Sequence, residues 1–159
     1  MLWHAAWDGD AAEVWRLLAG PNGAKPDEPR GSNCETALLM ASRLGNTSVV
    51  RVLLGAGADP EIKASDGNTA LIWASYKGRL PVVKLLLRHG VDWSATDKSG
   101  KTALSWAQRW GHVEVAVALL AVEREAEAEA ARQKEVEACT PEDNESLGEG
   151  VKFVAAAEI

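Results

Sequence analysis

Histidine and cysteine, two residue types used in acid–base, nucleophilic and metal chemistry, occur five times: His4, His89, His112, Cys34 and Cys139. A nucleophilic dyad needs a thiol beside an imidazole, and a zinc site needs such residues at close spacing. The two cysteines lie far apart in the sequence and show no ligand spacing. The histidines fall at different positions of a sequence period described below, so we do not expect these side chains to converge on one site.

Two other patterns could suggest a phosphate-binding or a catalytic site, but neither is supported by the sequence. The stretch 55–58, Gly-Ala-Gly-Ala, is rich in glycine, but it lacks the following Lys-Ser/Thr of a phosphate loop and ends a predicted helix instead of opening one. No paired carboxylates fall in a plausible cleft. The sequence therefore predicts no catalytic residue, no cofactor and no metal site, and we expect a protein that is not an enzyme.

The composition is that of a soluble, foldable chain of 159 residues with 47% hydrophobic residues and a formal charge of −6. No apolar run approaches the roughly 20 residues that a membrane span needs. The N-terminus lacks a basic region followed by a long apolar core, so no secretory signal is visible. We expect a cytoplasmic protein, with a processed organelle protein as the alternative, and we expect no membrane insertion.

The acidity of the chain is concentrated near its C-terminus. Residues 123–159 hold eleven acids and four bases, a net charge of −7, which leaves +1 for residues 1–122. Binding to a phosphate backbone needs several concentrated bases, so nucleic acid is not an expected partner.

A period of 33 residues organises the first three quarters of the chain. Gly45, Gly78 and Gly111 keep this spacing, and a fourth, truncated copy precedes them with three extra residues before its neighbour. Such a period is the signature of repeat architectures. The other positions that keep it are Thr36-Ala37-Leu38, Thr69-Ala70-Leu71 and Thr102-Ala103-Leu104, together with Leu53-Leu54, Leu86-Leu87 and Leu119-Leu120.

Each period predicts two short helices joined by a turn. Thr69 can cap the first helix through its hydroxyl, and Gly78 supplies the left-handed residue that ends it. Pro81 suits the first turn of the second helix. The apolar stripe of that helix is Val82, Val83, Leu86 and Leu87.

These residues resemble the ankyrin repeat, whose motif Gly-x-Thr-Pro-Leu-His-x-Ala is met by residues 67–74, and the resemblance covers residues 2–122. The family's Pro is replaced by Ala and its His by Leu39, Ile72 and Ser105. The inter-repeat hydrogen bonds of that His are therefore not expected, while the stacking of repeats is. The resemblance implies an all-α ankyrin-repeat solenoid of stacked helix-turn-helix units with hairpin-like loops and an extended C-terminal helix.

Three segments are predicted. Residues 1–122 form the solenoid of about four repeats, residues 123–138 a charged helical extension rich in Glu and Ala, and residues 139–159 an acidic, flexible tail. The first, truncated repeat is either an N-terminal cap or the cut edge of a longer array. Because the tail is acidic and the solenoid is not, we also expect the tail to compete with partners for a basic surface.

The resemblance implies a non-catalytic protein–protein interaction module that binds through hairpin tips and first helices, which line a concave surface. Aromatic and Arg residues dominate interface energetics, and the bases in this set favour an acidic, partly apolar segment of a partner protein. The residues placed at that surface are Trp7, Arg43, Leu44, Lys63, Asp66, Tyr76, Lys77, Lys98, Lys101, Arg109 and Trp110.

Two alternatives stay open. The exposed bases are equally typical of solvated helix faces. The chain is alternatively a structural subunit of a large multiprotein complex, held by its Trp-rich surface and its C-terminal helix and tail. The sequence has seven Trp against one Tyr and one Phe. Of these, Trp73 and Trp106 are expected to pack on each other between repeats, Trp15 to lie on an outer helix and Trp93 to be half-buried.

Overall fold

Eight α-helices follow one another along residues 1–138, which are the residues that this computed structural model describes. The predicted tail, residues 139–159, lies outside the described residues. The helices are α1 (Leu2–Asp8), α2 (Ala11–Ala19), α3 (Ala37–Leu44), α4 (Thr47–Gly55), α5 (Ala70–Tyr76), α6 (Leu80–Arg88), α7 (Ala103–Arg109) and α8 (Val113–Ala138).

Three of these helices begin at the periodic threonines. Each threonine hydroxyl accepts a hydrogen bond from the backbone N–H three residues later, a group that has no partner inside the helix. The N–O distances are 3.3 Å at Thr36, 3.3 Å at Thr69 and 3.2 Å at Thr102. The starts of α3, α5 and α7 are thus set locally, as the sequence predicted.

The helices stack in two rows. The first helix of each repeat packs on its counterpart in the next, so that α1, α3, α5 and α7, which we call the inner helices, form one row, and α2, α4 and α6 form the second. Between repeats the chain makes hairpin-like loops, with isolated antiparallel bridges at Arg30–Glu35 and Thr96–Thr102. Neighbouring loops are joined by hydrogen bonds such as that from the Ser65 N–H to the Asn33 carbonyl, 2.9 Å. The predicted all-α solenoid of helix pairs is confirmed.

The core lies between the two rows and repeats with the sequence. Leu53, Leu86 and Leu119 occupy the same position of successive repeats and are all buried. Burial of one such side chain contributes about 1.5–3 kcal/mol, and no single helix pair could bury it without a neighbour. Stacking is therefore the source of stability.

The last helix, α8, changes character along its length. Val115 and Leu119 near its start belong to the core, whereas all side chains of residues 124–138 are exposed. Residues Met1–Ala121 form one compact unit. Among residues 1–138, no helix has the length and apolar character that crossing a membrane requires.

Candidate functional site

Tyr76 lies at the centre of an aromatic cluster on the first helices of the last two repeats. Its ring centroid is 5.7 Å from that of Trp73, 5.4 Å from Trp106 and 5.3 Å from Trp110, and all three pairs meet edge to face. Aromatic pairs prefer this geometry because the positive edge of one ring meets the negative face of the other. We call these four residues the Tyr76 cluster.

The periodicity of the helices explains the cluster. Trp73 and Tyr76 are three residues apart on α5 and so share one face. Trp106 is the counterpart of Trp73 on α7. We expected Trp73 and Trp106 to contact each other. Instead both rings contact Tyr76, because Tyr76 sits on the same face of α5 and reaches α7.

Cationic side chains surround the cluster and lie over its rings. A cation placed over an aromatic face is attracted by the ring quadrupole, by about 0.5–1 kcal/mol at exposed sites. That energy is small beside a charge-assisted hydrogen bond of about 1.5–3 kcal/mol, so contact with a ring does not prevent a cation from binding a carboxylate. The distances to ring centroids are 5.3 Å from Arg43 to Trp73, 5.0 Å from Lys77 to Tyr76, and 4.5 Å from Lys101 and 5.9 Å from Arg109 to Trp106.

Trp106 is fixed by a buried carboxylate. Its Nε1–H donates to Asp97 Oδ2 at 2.8 Å. Burial by itself raises the pKa of the Asp97 carboxyl, but hydrogen bonds from Lys101 N–H, Ser99 and Trp106 outweigh it and hold the pKa below its ordinary value. The carboxylate therefore stays charged and holds the hairpin and the indole in one arrangement.

Two of the predicted surface bases have partners within the chain. Arg43 donates to Glu35 Oε1 at 3.2 Å, which neutralises part of its charge. Lys63 Nζ donates to the carbonyl of Thr96, 3.0 Å away, and so joins two neighbouring loops. Within the described part of the chain, no carboxylate forms a salt bridge with Lys77, Lys101 or Arg109.

The other predicted residues are Asp66 and Lys98, in loops between repeats, and Leu44, on α3. Asp66 accepts from the backbone N–H of Asn68 at 2.9 Å, and the backbone N–H of Lys98 donates to the carbonyl of Asp66 at 3.2 Å. Both side chains are exposed at the loops, and Leu44 is half-buried at the end of α3.

Trp7 belongs to a separate aromatic patch. Its ring stacks on Trp3 with centroids 5.4 Å apart, and it is 47% exposed. Arg30 lies over Trp3 at 5.4 Å and also donates to Nδ1 of His4 at 2.7 Å. We placed Trp7 on one surface with Tyr76 and Trp110; the structure joins only the latter two by direct ring contact.

Sequence analysis missed a set of inter-repeat links. The residues after the periodic glycines donate to backbone carbonyls at the end of the preceding inner helix: Asn46 Nδ2 to Ala6 at 2.8 Å, Arg79 Nε to Arg43 at 3.4 Å, and His112 Nε2 to Tyr76 at 3.1 Å. The feature of the sequence that could have predicted these links is the spacing of 33 between residues 46, 79 and 112.

The reactive side chains do not assemble into a reaction centre in the described region. Within residues 1–138, no group of three His, Cys, Asp or Glu residues is placed to hold a metal ion. Cys34 is exposed in a loop, and His89 is exposed just after α6. Cys139 lies outside the described residues.

Comparison with known proteins agrees with this architecture. The family model for ankyrin repeats, which comprises three copies, matches residues 2–97 and 54–132. None of the curated proteins matches the chain significantly. Ankyrin repeats are generally protein–protein interaction modules, and the family is typically non-catalytic. With most of its length matched and its helices stacked in pairs, the chain belongs to the ankyrin repeat family.

Proposed function

We propose that this protein is a non-catalytic binding module that holds an acidic, partly apolar segment of a partner protein. The observation that carries the proposal is the Tyr76 cluster, four aromatic rings on adjacent inner helices, three of which have cations over their faces. Residues of these types dominate the energetics of protein interfaces.

The exposure of Trp110 supports the apolar part of the proposed binding surface. Trp110 is 54% exposed although its ring contacts Tyr76. A partner that covers it gains apolar burial without ordering a free side chain, because the ring already has a neighbour. Preorganisation of this kind lowers the entropic cost of association.

The charged part of the surface rests on Lys77, Lys101 and Arg109. These bases differ from Arg43 and Lys63, each of which already has a hydrogen-bond partner within the chain. Positive charge beside apolar rings favours partners that present carboxylates near an apolar residue, and it raises their rate of encounter.

The test compares two variants with the same change in charge. One combines Lys77→Gln, Lys101→Gln, Arg109→Gln and Trp110→Ala. The control changes the other row of helices at three exposed bases and one exposed Trp: Arg51→Gln, Lys84→Gln, Arg88→Gln and Trp15→Ala.

Proteins captured from a lysate are identified by mass spectrometry, and their binding segments are mapped with overlapping peptides. We expect partners bound by the wild type and the control, but not by the Trp110 variant, and we expect their segments to be acidic. Equal capture by all three proteins would refute the proposal.

A second candidate function is that of a structural subunit in a large complex. It is favoured by Trp15, which is 64% exposed on α2, in the row opposite the Tyr76 cluster. Under this proposal Trp15→Ala lowers co-sedimentation with the complex while binding of acidic peptides is unchanged. A complex that sediments identically with the variant would exclude Trp15 as an anchor.

A further inference from the structure

An aromatic side chain recurs at one position of the inner helices. Trp7 and Tyr76 occupy equivalent positions in the first and third repeats, on α1 and α5. In the repeat between them this position is held by Arg43, on α3, which forms a salt bridge with Glu35 at 3.2 Å. The row of inner helices therefore presents aromatic rings at two places, and a charged residue holds the equivalent position between them.

The first of these places has the same chemistry as the Tyr76 cluster. We call Trp3, Trp7 and Arg30 the Trp7 patch. Trp7 is 47% exposed and stacks on Trp3, and the Arg30 guanidinium lies 5.4 Å from the centroid of the Trp3 ring. Arg30 donates to His4 Nδ1, but among residues 1–138 no carboxylate forms a salt bridge with it. Like the Tyr76 cluster, the patch offers packed rings beside a cation.

The distance between the two places follows from the stacking of the helices. Because α3 packs on both α1 and α5, the Trp7 patch and Tyr76 are two helix spacings apart. Packed helices lie about 8–10 Å apart, so equivalent residues of α1 and α5 are separated by about 16–20 Å. An extended chain advances about 3.3 Å per residue and covers this distance in five or six residues. With a separation of six, both side chains also point to the same face of the chain.

We propose that the partner segment carries two anchors six residues apart, each an apolar residue beside a carboxylate. The segment lies along the inner helices with one anchor on the Trp7 patch and the other on the Tyr76 cluster. One carboxylate faces Arg30, and the other faces Lys77 or Arg109. This inference rests on the proposed function, because it keeps the acidic, partly apolar ligand and adds a second contact at a fixed spacing. Linked anchors bind more tightly than one because the second binds intramolecularly.

The experiment measures the affinity of fluorescein-labelled peptides of equal length for the full chain by fluorescence polarisation. Each anchor is a Phe-Glu pair in a background of Ser and Thr. One peptide has a single anchor, and a second has two anchors six residues apart. A third has the same composition as the second with its anchors three residues apart, a separation that spans at most about 11 Å.

The peptides are compared on the wild type and on three variants. Trp7→Ala removes the exposed ring of the Trp7 patch, and Trp7→Phe keeps a ring there. Trp15→Ala is the matched control, because Trp15 is also exposed but lies on α2, in the other row of helices.

We expect the wild type to bind the peptide with the six-residue spacing about tenfold more tightly than the peptide with the three-residue spacing. Trp7→Ala loses this preference, whereas Trp7→Phe and Trp15→Ala retain it. Because the two peptides share composition and charge, neither non-specific adsorption nor a smaller folded fraction of a variant changes the ratio of their affinities.

Two results would overturn the inference and leave the proposed function standing, as long as the single-anchor peptide binds. They are equal affinity for the two spacings, and a preference for the six-residue spacing that survives in Trp7→Ala. The proposed function is tested by a different peptide, the single anchor with Gln in place of Glu. If that peptide bound as well as the acidic one, the proposed acidic preference would be wrong.

Discussion

Asp97 joins the last hairpin to the Tyr76 cluster. Its Oδ1 accepts from the Ser99 N–H at 2.8 Å, the Ser99 hydroxyl at 2.7 Å and the Lys101 N–H at 3.0 Å, while Oδ2 accepts from Trp106. We expect Asp97→Ala to lower the free energy of unfolding by about 2–3 kcal/mol, since several donors lose their partner. Urea unfolding measures this. Asp66→Ala, which loses one exposed hydrogen bond, is the control and costs less than 1 kcal/mol; equal losses would contradict the role of Asp97.

The same carboxylate makes stability depend on pH. Because its pKa is lower in the folded chain than in the unfolded one, its contribution is complete above the ordinary value of about 3.9 and is lost as the pH falls through the lowered pKa. We expect the stability difference between wild type and Asp97→Asn to shrink from pH 6 to about pH 3. Asp92, whose pKa is lowered by hydrogen bonds from Ser94, titrates in both proteins and cancels. A stability difference between the two proteins that did not change with pH would contradict this prediction.

Cys34 departs from the repeat at a strained position. Its φ is +52°, whereas its counterparts 33 and 66 residues later are Gly67 and Gly100, with φ of +83° and +74°. An L-residue in this region pays roughly 1–2 kcal/mol that glycine does not. We expect Cys34→Gly to raise the free energy of unfolding by about 0.5–1 kcal/mol, measured in urea, after the entropy cost of glycine is subtracted. Cys34→Ser, which keeps the strain, should not stabilise the protein.

At the scale of elements, one inner helix is linked to the next where a side chain of one repeat packs on a glycine of the preceding repeat. A Cβ at Gly78 would come 2.5 Å from His112 Nδ1, the residue whose other nitrogen donates to the end of α5. At Gly111 the φ is similar, +72° against +68°, but no atom lies within 4 Å of such a Cβ. The two glycines therefore separate backbone strain from the inter-repeat contact.

We expect Gly111→Ala to cost about 1 kcal/mol of stability, from backbone strain alone. Gly78→Ala should cost about 1–2 kcal/mol more, because His112 must move and its bond to Tyr76 is lost. Thermal and urea unfolding provide the comparison. Identical losses in the two variants would show that the contact between His112 and Gly78 carries no stability.

At the scale of the whole molecule, stability is distributed along a stack in which each repeat contacts its neighbours. In such proteins stability is approximately a sum of repeat and interface contributions. A destabilising substitution in an interior repeat weakens its packing on two neighbouring repeats. The same substitution in a terminal repeat weakens packing on one neighbour only.

Leu86 and Leu119 test this, since both are buried at the same position of successive repeats. Each change to Ala should cost about 2–5 kcal/mol. Hydrogen exchange should show lost protection in α3 to α7 for Leu86→Ala, because α6 packs on both α4 and α5. For Leu119→Ala the loss should be confined to α7 and the start of α8. If protection from hydrogen exchange were lost over the same helices in both variants, the repeats would form a single cooperative unit.

The sequence by itself determined the features that depend on local contacts or on the period. The threonine caps, the helix pairs and the buried leucines follow from residues close together in the chain, and the spacing of 33 then implies stacking. Only the tertiary structure decided which surface side chains meet: that Tyr76 contacts both Trp73 and Trp106, that Arg43 pairs with Glu35, and that Trp7 stacks on Trp3. The reason is physical, because rotation about side-chain bonds and the offset between neighbouring repeats fix these contacts, and neither is encoded in a spacing.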